Sequence, residues 1–426
     1  MSRRRGLRTL LAGVLLAVTT AGCGGGPPEE RTLVVLGPWA DGEEKPFVEA
    51  LRSIEKQTGH RYVYKGTRSL RETLVAQLQA GAPPDMAILN SPGELAEYAR
   101  AGDLRPLPER VAGAAVTPWA PAVTVEDAAG EARTRAYWAP IRVDLKSLVW
   151  SRNEAADSAP VWCVGLGSGA TSGWPGTDWI EDLMLQREGS AEYEEWATGR
   201  KPWEETRPVW EEWARILTAG GRAPDARWLN DFEKLGGDRY GLLNRGDCTH
   251  EHQGSFIRRH YGDDVRPRPT ADHLDRPPAA KEDEDDENAF EVSGDMAAVF
   301  RSSAAAWDLL DRLTSKKARD SWAAGAMPGE RPFFPGGTTA ATGPSATKDV
   351  QELFRSAGRI CFDASDAMPP TLRDAFYRAV LEFAVRPDDR ALLDRLLKQL
   401  EAERLLQDRE KAFVLDDLCG TPAVAG

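Results

Sequence analysis

Three short apolar runs, each followed by apolar residues at helical spacing, narrow most what this chain can fold into. Leu33-Val-Val-Leu36 is stopped by Gly37-Pro38, after which Phe47, Ala50, Leu51 and Ile54 recur on one helical face. Tyr62-Val-Tyr64 predicts a second strand. Ser69 with Glu72 gives a capping-box pattern ahead of a helix carrying Leu70, Leu74, Val75 and Leu78. Met86-Ala-Ile-Leu89 predicts a third strand, and Ser91-Pro92-Gly93-Glu94 opens the next helix with proline at its first position. Such βαβ units need crossover connections, so the expectation is an α/β protein with mainly parallel sheets flanked by helices.

The pattern resumes further on. Ser147–Trp150 and Val161–Gly165 read as strands; Ile180, Leu183 and Met184 begin a helix, and Trp210, Trp213, Ala214 and Leu217 stripe another. Two last helices bury Leu372, Phe376, Ala379 and Phe383, then Leu393, Leu396, Leu397 and Leu400. Pro267 to Glu287, ending in Glu282-Asp-Glu-Asp-Asp-Glu287, reads as a solvated insertion, and Pro335-Gly-Gly-Thr-Thr339 as a glycine-rich loop. A chain of this length exceeds one ordinary core, which predicts two lobes.

The N-terminus addresses the chain outward. Four arginines precede the apolar run Leu10–Val18, which is too short to span a bilayer and so reads as a secretory signal. Thr20-Ala21-Gly22-Cys23 resembles a bacterial lipobox, with Thr20 in place of the usual aliphatic residue, and residues 23–31 form a tether. Without residues 1–22, 404 residues remain and the formal charge falls from −13 to −17. That charge argues against nucleic acid as a partner. Cys163, Cys248, Cys361 and Cys419 are an even set in an exported chain, hence two disulfides with three possible connectivities.

Catalytic and metal motifs fail on context. Gly165-Leu-Gly167-Ser-Gly169-Ala170 follows a strand, but Gly173-Trp-Pro-Gly176 interrupts the helix that a dinucleotide would need. Cys248, His250 and His252 alternate as zinc ligands on one strand face would, without a recognisable fourth ligand. The 282–287 acids lack the spacing and glycine of an EF-hand. No nucleophile elbow or HExxH occurs, so no catalytic residue, metal or cofactor is expected. Fourteen tryptophans are the more telling excess. Trp150, Trp162, Trp210, Trp213 and Trp307 sit in periodic segments and read as core, whereas Trp39, Trp174 and Trp179 follow strands in Gly/Pro-marked loops or open helices, where α/β folds bind ligands, and Trp138 precedes Pro140 just before the presumed inter-lobe crossing. An indole suits the apolar face of a sugar.

Several stretches, taken together and in order, resemble a known family. They are Ala82-Pro-Pro-Asp85-Met-Ala, Lys146-Ser-Leu-Val-Trp150, Trp162-Cys163-Val-Gly-Leu, Thr171 to Asp182, His252-Gln253-Gly-Ser-Phe256, Ser293-Gly-Asp295-Met296 and Phe362-Asp-Ala-Ser-Asp366-Ala-Met368-Pro. The chain resembles the extracellular solute-binding proteins of carbohydrate ABC transporters, in a branch associated with α-glucosides. The resemblance implies a periplasmic-binding-protein-like fold of type II, in which two lobes close like a clamp on ligand. It places hinge crossings near Arg142–Leu148, Gly294–Phe300 and Pro335–Ala341. Lobe 1 would comprise 32–142 plus about 291–338, and lobe 2 about 143–290 plus about 339–426. Glu251 departs from the basic or aromatic residue expected before His252.

The resemblance implies a monomeric receptor, lipid-anchored outside the cytoplasmic membrane, that hands a carbohydrate to permease subunits and their ATPase. A sensor, a receptor for a non-sugar solute such as a peptide or polyamine, or an exported glycan hydrolase are the alternatives. The expected site takes Trp39, Asp41, Thr67, Arg68, Asn90 and Ser91 from the first lobe, Trp138 near the crossing, and Ser172, Trp174, Asp178, Trp179, His252 and Gln253 from the second. Gly173–Gly176 is expected to hold Trp174 outside a helix beginning near Thr177, with Asp178 free to accept bonds from hydroxyls. For the disulfides, Cys163–Cys248 follows from two motifs of the family, and Cys361–Cys419 would tie the last residues to the C-terminal region. Cys23→Ala is expected to release the protein from the membrane fraction while preserving solute binding; a variant that stays membrane-bound would count against the anchor.

Overall fold

The computed structural model describes residues 32–126, 130–219, 225–274, 288–335 and 344–422. Cys23 and its tether, the 282–287 acids and residues 336–339 lie outside these.

Strands β1 (Thr32–Gly37), β2 (Arg61–Gly66) and β3 (Met86–Leu89) pair in parallel in the order β2-β1-β3. The helices α1 (Lys45–Thr58), α2 (Leu70–Gln79), α3 (Pro92–Ala101) and the short α4 (Glu109–Ala112) alternate with or follow them. Side-chain alternation sends Leu33, Val35, Met86 and Ile88 to one core and Leu36, Ala87 and Leu89 to another. The first core closes on Phe47, Leu51 and Ile54 of α1, Leu309 and Leu310 of α8 (Ala304–Leu313) and Trp322 of α9 (Lys316–Gly325).

After the hairpin β4 (Val123–Glu126) and β5 (Ala132–Arg135), strand β6 (Trp138–Leu145) leaves this lobe, and the chain enters a second sheet at Lys146. That sheet runs in the order β12-β7-β11-β8, from β7 (Leu148–Arg152), β8 (Trp162–Cys163), β11 (His250–His252) and β12 (Val265–Pro269). A small antiparallel pair, β9 (Lys234–Gly236) and β10 (Arg239–Tyr240), lies beside it. Strand β13 (Ala289–Val299) returns antiparallel to β6; its C-terminal half pairs with β3 and its N-terminal half with β14 (Arg359–Phe362), which carries β15 (Cys419–Gly420). Helix α5 (Trp174–Glu188) packs on β13, α6 (Ser190–Ala197) on β14 and β15, and α10 (Ser345–Ser356) on β12, while α7 (Arg207–Leu217), α11 (Ala364–Ala367) and α12 (Pro370–Val385) pack on α5, and α13 (Arg390–Arg409) on α12.

Three expectations need correction. The sheets are mixed, because β6 and β13 run antiparallel where they cross and β7 pairs antiparallel with both β11 and β12. The proline-rich stretch is ordered at its start: Pro267 and Pro269 lie in β12, an edge strand, where a missing N–H costs no ladder bond to a second neighbour. Trp307 is only partly buried, its indole donating to the Ser302 hydroxyl at 2.9 Å. The other four core tryptophans are buried as expected. Both disulfides, Cys163–Cys248 and Cys361–Cys419, join the expected pairs.

The second core is aromatic: the Phe383 ring of α12 lies 5.2 Å from Trp210 and 5.8 Å from Trp213 of α7. Phe383 is fully buried, so Phe383→Ala leaves a cavity between the two indoles and is expected to lower stability by about 3–5 kcal/mol. Urea unfolding of the variant checks it; a loss below about 1 kcal/mol would mean that this helix pair is not tightly packed.

Candidate functional site

Where β6 meets β13, the chain places charges that an apolar core would reject. Arg142 Nε lies 2.6 Å from Asp295 and 3.9 Å from Asp144, with its guanidinium 5.1 Å from the Trp39 ring. Ser255 donates to Asp144 at 2.7 Å and accepts from the Leu145 amide at 3.1 Å. Just beyond, the Lys146 ammonium lies 2.7 Å from Asp178 and 3.7 Å from Glu291, and donates to Asp363.

Asp178, Glu291 and Asp363 bring their oxygens within 4.8 Å of one another, the one metal-like carboxylate group among the described residues. Lys146 contacts all three, so the position that a metal ion would take is filled by the chain's own cation. Burial alone would strip Lys146 of its proton, but Asp178, Asp363 and Glu291 raise it well above the ordinary lysine value. Burial and neighbouring carboxylates push Glu181 and Glu291 far up. Burial also raises Asp178, to about 6, against the pull of Lys146.

Loops at strand ends wall this floor. Asn90, at the end of β3, donates to Asp366 of α11 at 3.0 Å. Ser91 caps α3 through the Glu94 amide and donates to the Asp366 carbonyl at 2.7 Å. At Gly93 a Cβ would come within 2.0 Å of the Met368 carbonyl, so glycine permits this approach of α3 to the end of α11. Opposite, Gly173 has φ +112°, and a Cβ there would lie 2.4 Å from the Tyr377 carbonyl. It turns the chain so that Trp174, partly exposed, opens α5. The indole meets Phe232 at 4.8 Å and Phe256 at 6.0 Å edge-on, and the Lys146 ammonium at 5.4 Å.

The expected residues therefore divide. Asn90, Ser91, Trp174 and Asp178 come together at the junction with Lys146, Asp363 and Asp366. Asp178 is not free for hydroxyls, since Lys146 holds it, and Trp174 lies in the first helical turn rather than outside it. Trp39 is 3% exposed and packs among Phe47, Tyr64 and Trp322; Trp138 is 0% exposed and donates to the Trp119 carbonyl. Trp179 stacks on His252 at 4.2 Å, and His252 bonds Asp182 at 2.8 Å, so both are core. Gln253 turns its side chain back to the Gly254 amide, and Ser172 bonds within its own loop to Gly169 and Ser168. Asp41 is exposed in a turn at φ +60°, 3.9 Å from Arg68; the Thr67 amide donates to Gly37.

Glu251 faces away from His252, donated to by Tyr261, and burial pushes its carboxyl up to about 8. Gly165 and Gly167 admit the backbone of residues 229–232 rather than a phosphate. The site residues not anticipated are Lys146, Asp363, Asp366, Phe232 and Phe256. Lys146 stands between Leu145 and Leu148, and Asp363 ends an apolar strand; a charge in an apolar run was the available signal.

Residues 40–235 match the model of a family described as bacterial extracellular solute-binding protein. The chain is 27% identical over 394 residues to the alpha-glucosides-binding periplasmic protein AglE of Rhizobium meliloti, covering 83% of each chain. It is 25% identical over 435 residues to the osmoprotective compounds-binding protein GgtB of Synechocystis sp., covering 92% of this chain and 97% of that one. Among solved structures, the fold is similar to the bacterial solute receptor AcbH (TM-score 0.65, 12% identity, 89% of this chain and 99% of that one). It is similar also to RafE of Streptococcus pneumoniae (TM-score 0.61, 13% identity, 89% of this chain and 100% of that one). The fold is thus the two-lobe, type II binding-protein fold. No helix among the described residues is long and apolar enough to cross a membrane.

The charged floor carries its own test. Lys146→Met leaves Asp178 and Asp363 buried without their cation, which is expected to cost about 3–5 kcal/mol at neutral pH. Carboxyls whose folded pKa is raised destabilise as pH rises and recover as they take up protons, so the deficit should shrink when urea unfolding is repeated near pH 5. A deficit that stays constant with pH would show that the loss comes from packing rather than charge.

Proposed function

We propose that this chain is a bacterial extracellular solute-binding protein, a receptor that closes two lobes on a neutral polyhydroxy solute, of the α-glucoside or oligosaccharide class, and delivers it to an ABC importer. The observation that carries the reading is the pairing of every floor cation with a carboxylate of the chain itself. Arg142 is neutralised by Asp295, and Lys146 by Asp178 and Asp363. A charged ligand would compete with these pairs, whereas a neutral solute leaves them intact and can bond through its hydroxyls to the exposed Asn90 amide. Trp174, flanked by Phe232 and Phe256, supplies the apolar surface for a sugar ring.

The same pairing speaks against catalysis. Asp178 and Asp363 hold Lys146, so neither serves as a free acid or base. The lobes are proposed to part at Ser293–Asp295 of β13 and at Lys146–Ser147, with one lobe of 32–142 plus about 291–338 and another of about 143–290 plus about 339–426. A lipid on Cys23 would hold the receptor beside its permease, with no further subunit needed. The Synechocystis relative favours a second ligand class, an uncharged osmoprotective compound recognised through the same hydroxyl chemistry.

Calorimetric titration with α-glucosides, oligosaccharides and osmoprotective polyols tests the reading. With the best ligand, Trp174→Ala is expected to lose about 2 kcal/mol or more of binding while melting near the parent temperature. If the variant binds normally or melts far lower, the ring is structural and the apolar wall must be sought at Phe256 and Tyr64.

A further inference from the structure

Away from the floor, one guanidinium reaches from one lobe to the other. Arg259 is the penultimate residue of the short 3-10 helix Ser255–His260 that follows β11, and its two terminal nitrogens part: Nη1 donates to Glu43 and Nη2 to Glu233, both at 2.7 Å. Glu43 belongs to the loop between β1 and α1 on the first lobe, while Glu233 precedes β9 on the second. We infer that Arg259 and Glu43 form a clasp that holds the two lobes partly closed in the empty receptor, before any solute binds.

Both halves are built in advance. On the second lobe, Asp231 accepts from the Glu233 and Lys234 amides, each at 3.0 Å, which fixes the Glu233 turn. His260 lies 2.9 Å from the same Glu233 oxygen and stacks on Tyr240 at 5.1 Å. Glu233 therefore keeps Arg259 aimed even when Glu43 has moved away. The forked guanidinium can serve two carboxylates at once, which an ammonium point charge does with less geometric control. On the first lobe, Arg68 stands 3.0 Å from the other Glu43 oxygen, and the Glu43 amide donates to Ala40 in the turn through Asp41 and Gly42, both in the left-handed region.

The clasp is suited to a reversible role. Arg259 and Glu43 are 21% and 23% exposed at their side chains, so neither is sealed from water as Lys146 is. Burial would raise the Glu43 carboxyl, but Arg259, Arg142 and Arg68 together hold it below the ordinary value, so the pair remains ionised at neutral pH. A pair of this exposure shifts a population rather than locking it.

The test is made without ligand and so stands apart from the solute reading. In the full chain carrying Cys23→Ala, spin labels on Lys56→Cys of α1 and Glu204→Cys of the second lobe report the inter-lobe distance by pulsed electron resonance; both parent residues are exposed. Glu43→Gln and Arg259→Gln are each expected to raise the ratio of open to closed forms on the order of three- to fivefold. The double variant should move no further than either single one, and Arg259→Lys should fall between. Raising the salt should open the parent and leave Glu43→Gln unmoved. Folded single variants whose distances match the parent, or a double variant that shifts by the sum of the two, would overturn the clasp.

Discussion

The antiparallel pairing of β6 with β13 is the contact through which each lobe is defined by the other. It runs from Trp138 opposite Ala298 to Leu145 opposite Val292, and its register shifts between Asp295 and Met296. On one side of that irregularity β13 binds β3, and on the other it binds β14. A bulge bends a strand and lets its two halves serve different neighbours. Phe333 adds a third crossing by accepting from the Val143 amide at 3.0 Å. Because both long strands pass through the junction, residues far apart in sequence, such as Arg142 and Asp295, meet there without any contribution from loops.

The junction also explains why charge is tolerated so deep. Fully apolar replacements of a buried ion group are commonly as stable or more so, hence Lys146 and its carboxylates are poor candidates for a purely stabilising device. They do supply, where the two lobes join, a set of fixed polar atoms in which Lys146 offsets Asp178 and Asp363. Only polar groups that are already satisfied can remain when water is excluded by closure. On the proposed reading, the floor therefore suits a ligand that brings hydroxyls and no net charge.

Much of the scaffold was legible because burial on two faces writes a simple pattern. Leu33–Leu36, Tyr62–Tyr64 and Met86–Leu89 lie within the first three strands, and Ser91 caps its helix as its motif requires. Strand direction was less legible, since nothing local to β6 or β13 says that they run antiparallel across two lobes. The site was half legible. Trp39, Trp138 and Trp179 carry the same residue type and the same neighbourhood of strand ends as Trp174, yet tertiary packing buries them to 3%, 0% and 3% exposure. A tryptophan's role depends on which face of a loop is covered, and what covers Trp39 is Trp322, nearly three hundred positions later. Asp178 misled for the converse reason: its partner Lys146 is 32 residues away and lay in a motif read only for fold.

The division between scaffold and loops also bears on selectivity. Strands β6 and β13 fix the floor, whereas the groups that differ most in exposure and setting, Trp174, Phe232 and Phe256, sit on connections: the start of α5, the loop before β9 and the turn after β11. Connections tolerate substitution without loss of the core, and the same two-lobe frame accommodates relatives named for different solutes. Trp174 is the exception within that set, because Gly173 and the Tyr377 carbonyl beneath it leave no room for another backbone course. Its position is fixed as firmly as the floor, while Phe232 and Phe256 are held by loop contacts. On the proposed reading, selectivity between one uncharged polyhydroxy solute and another would therefore fall to those two rings, and the capacity to hold such a solute at all to Trp174 and the paired charges below it.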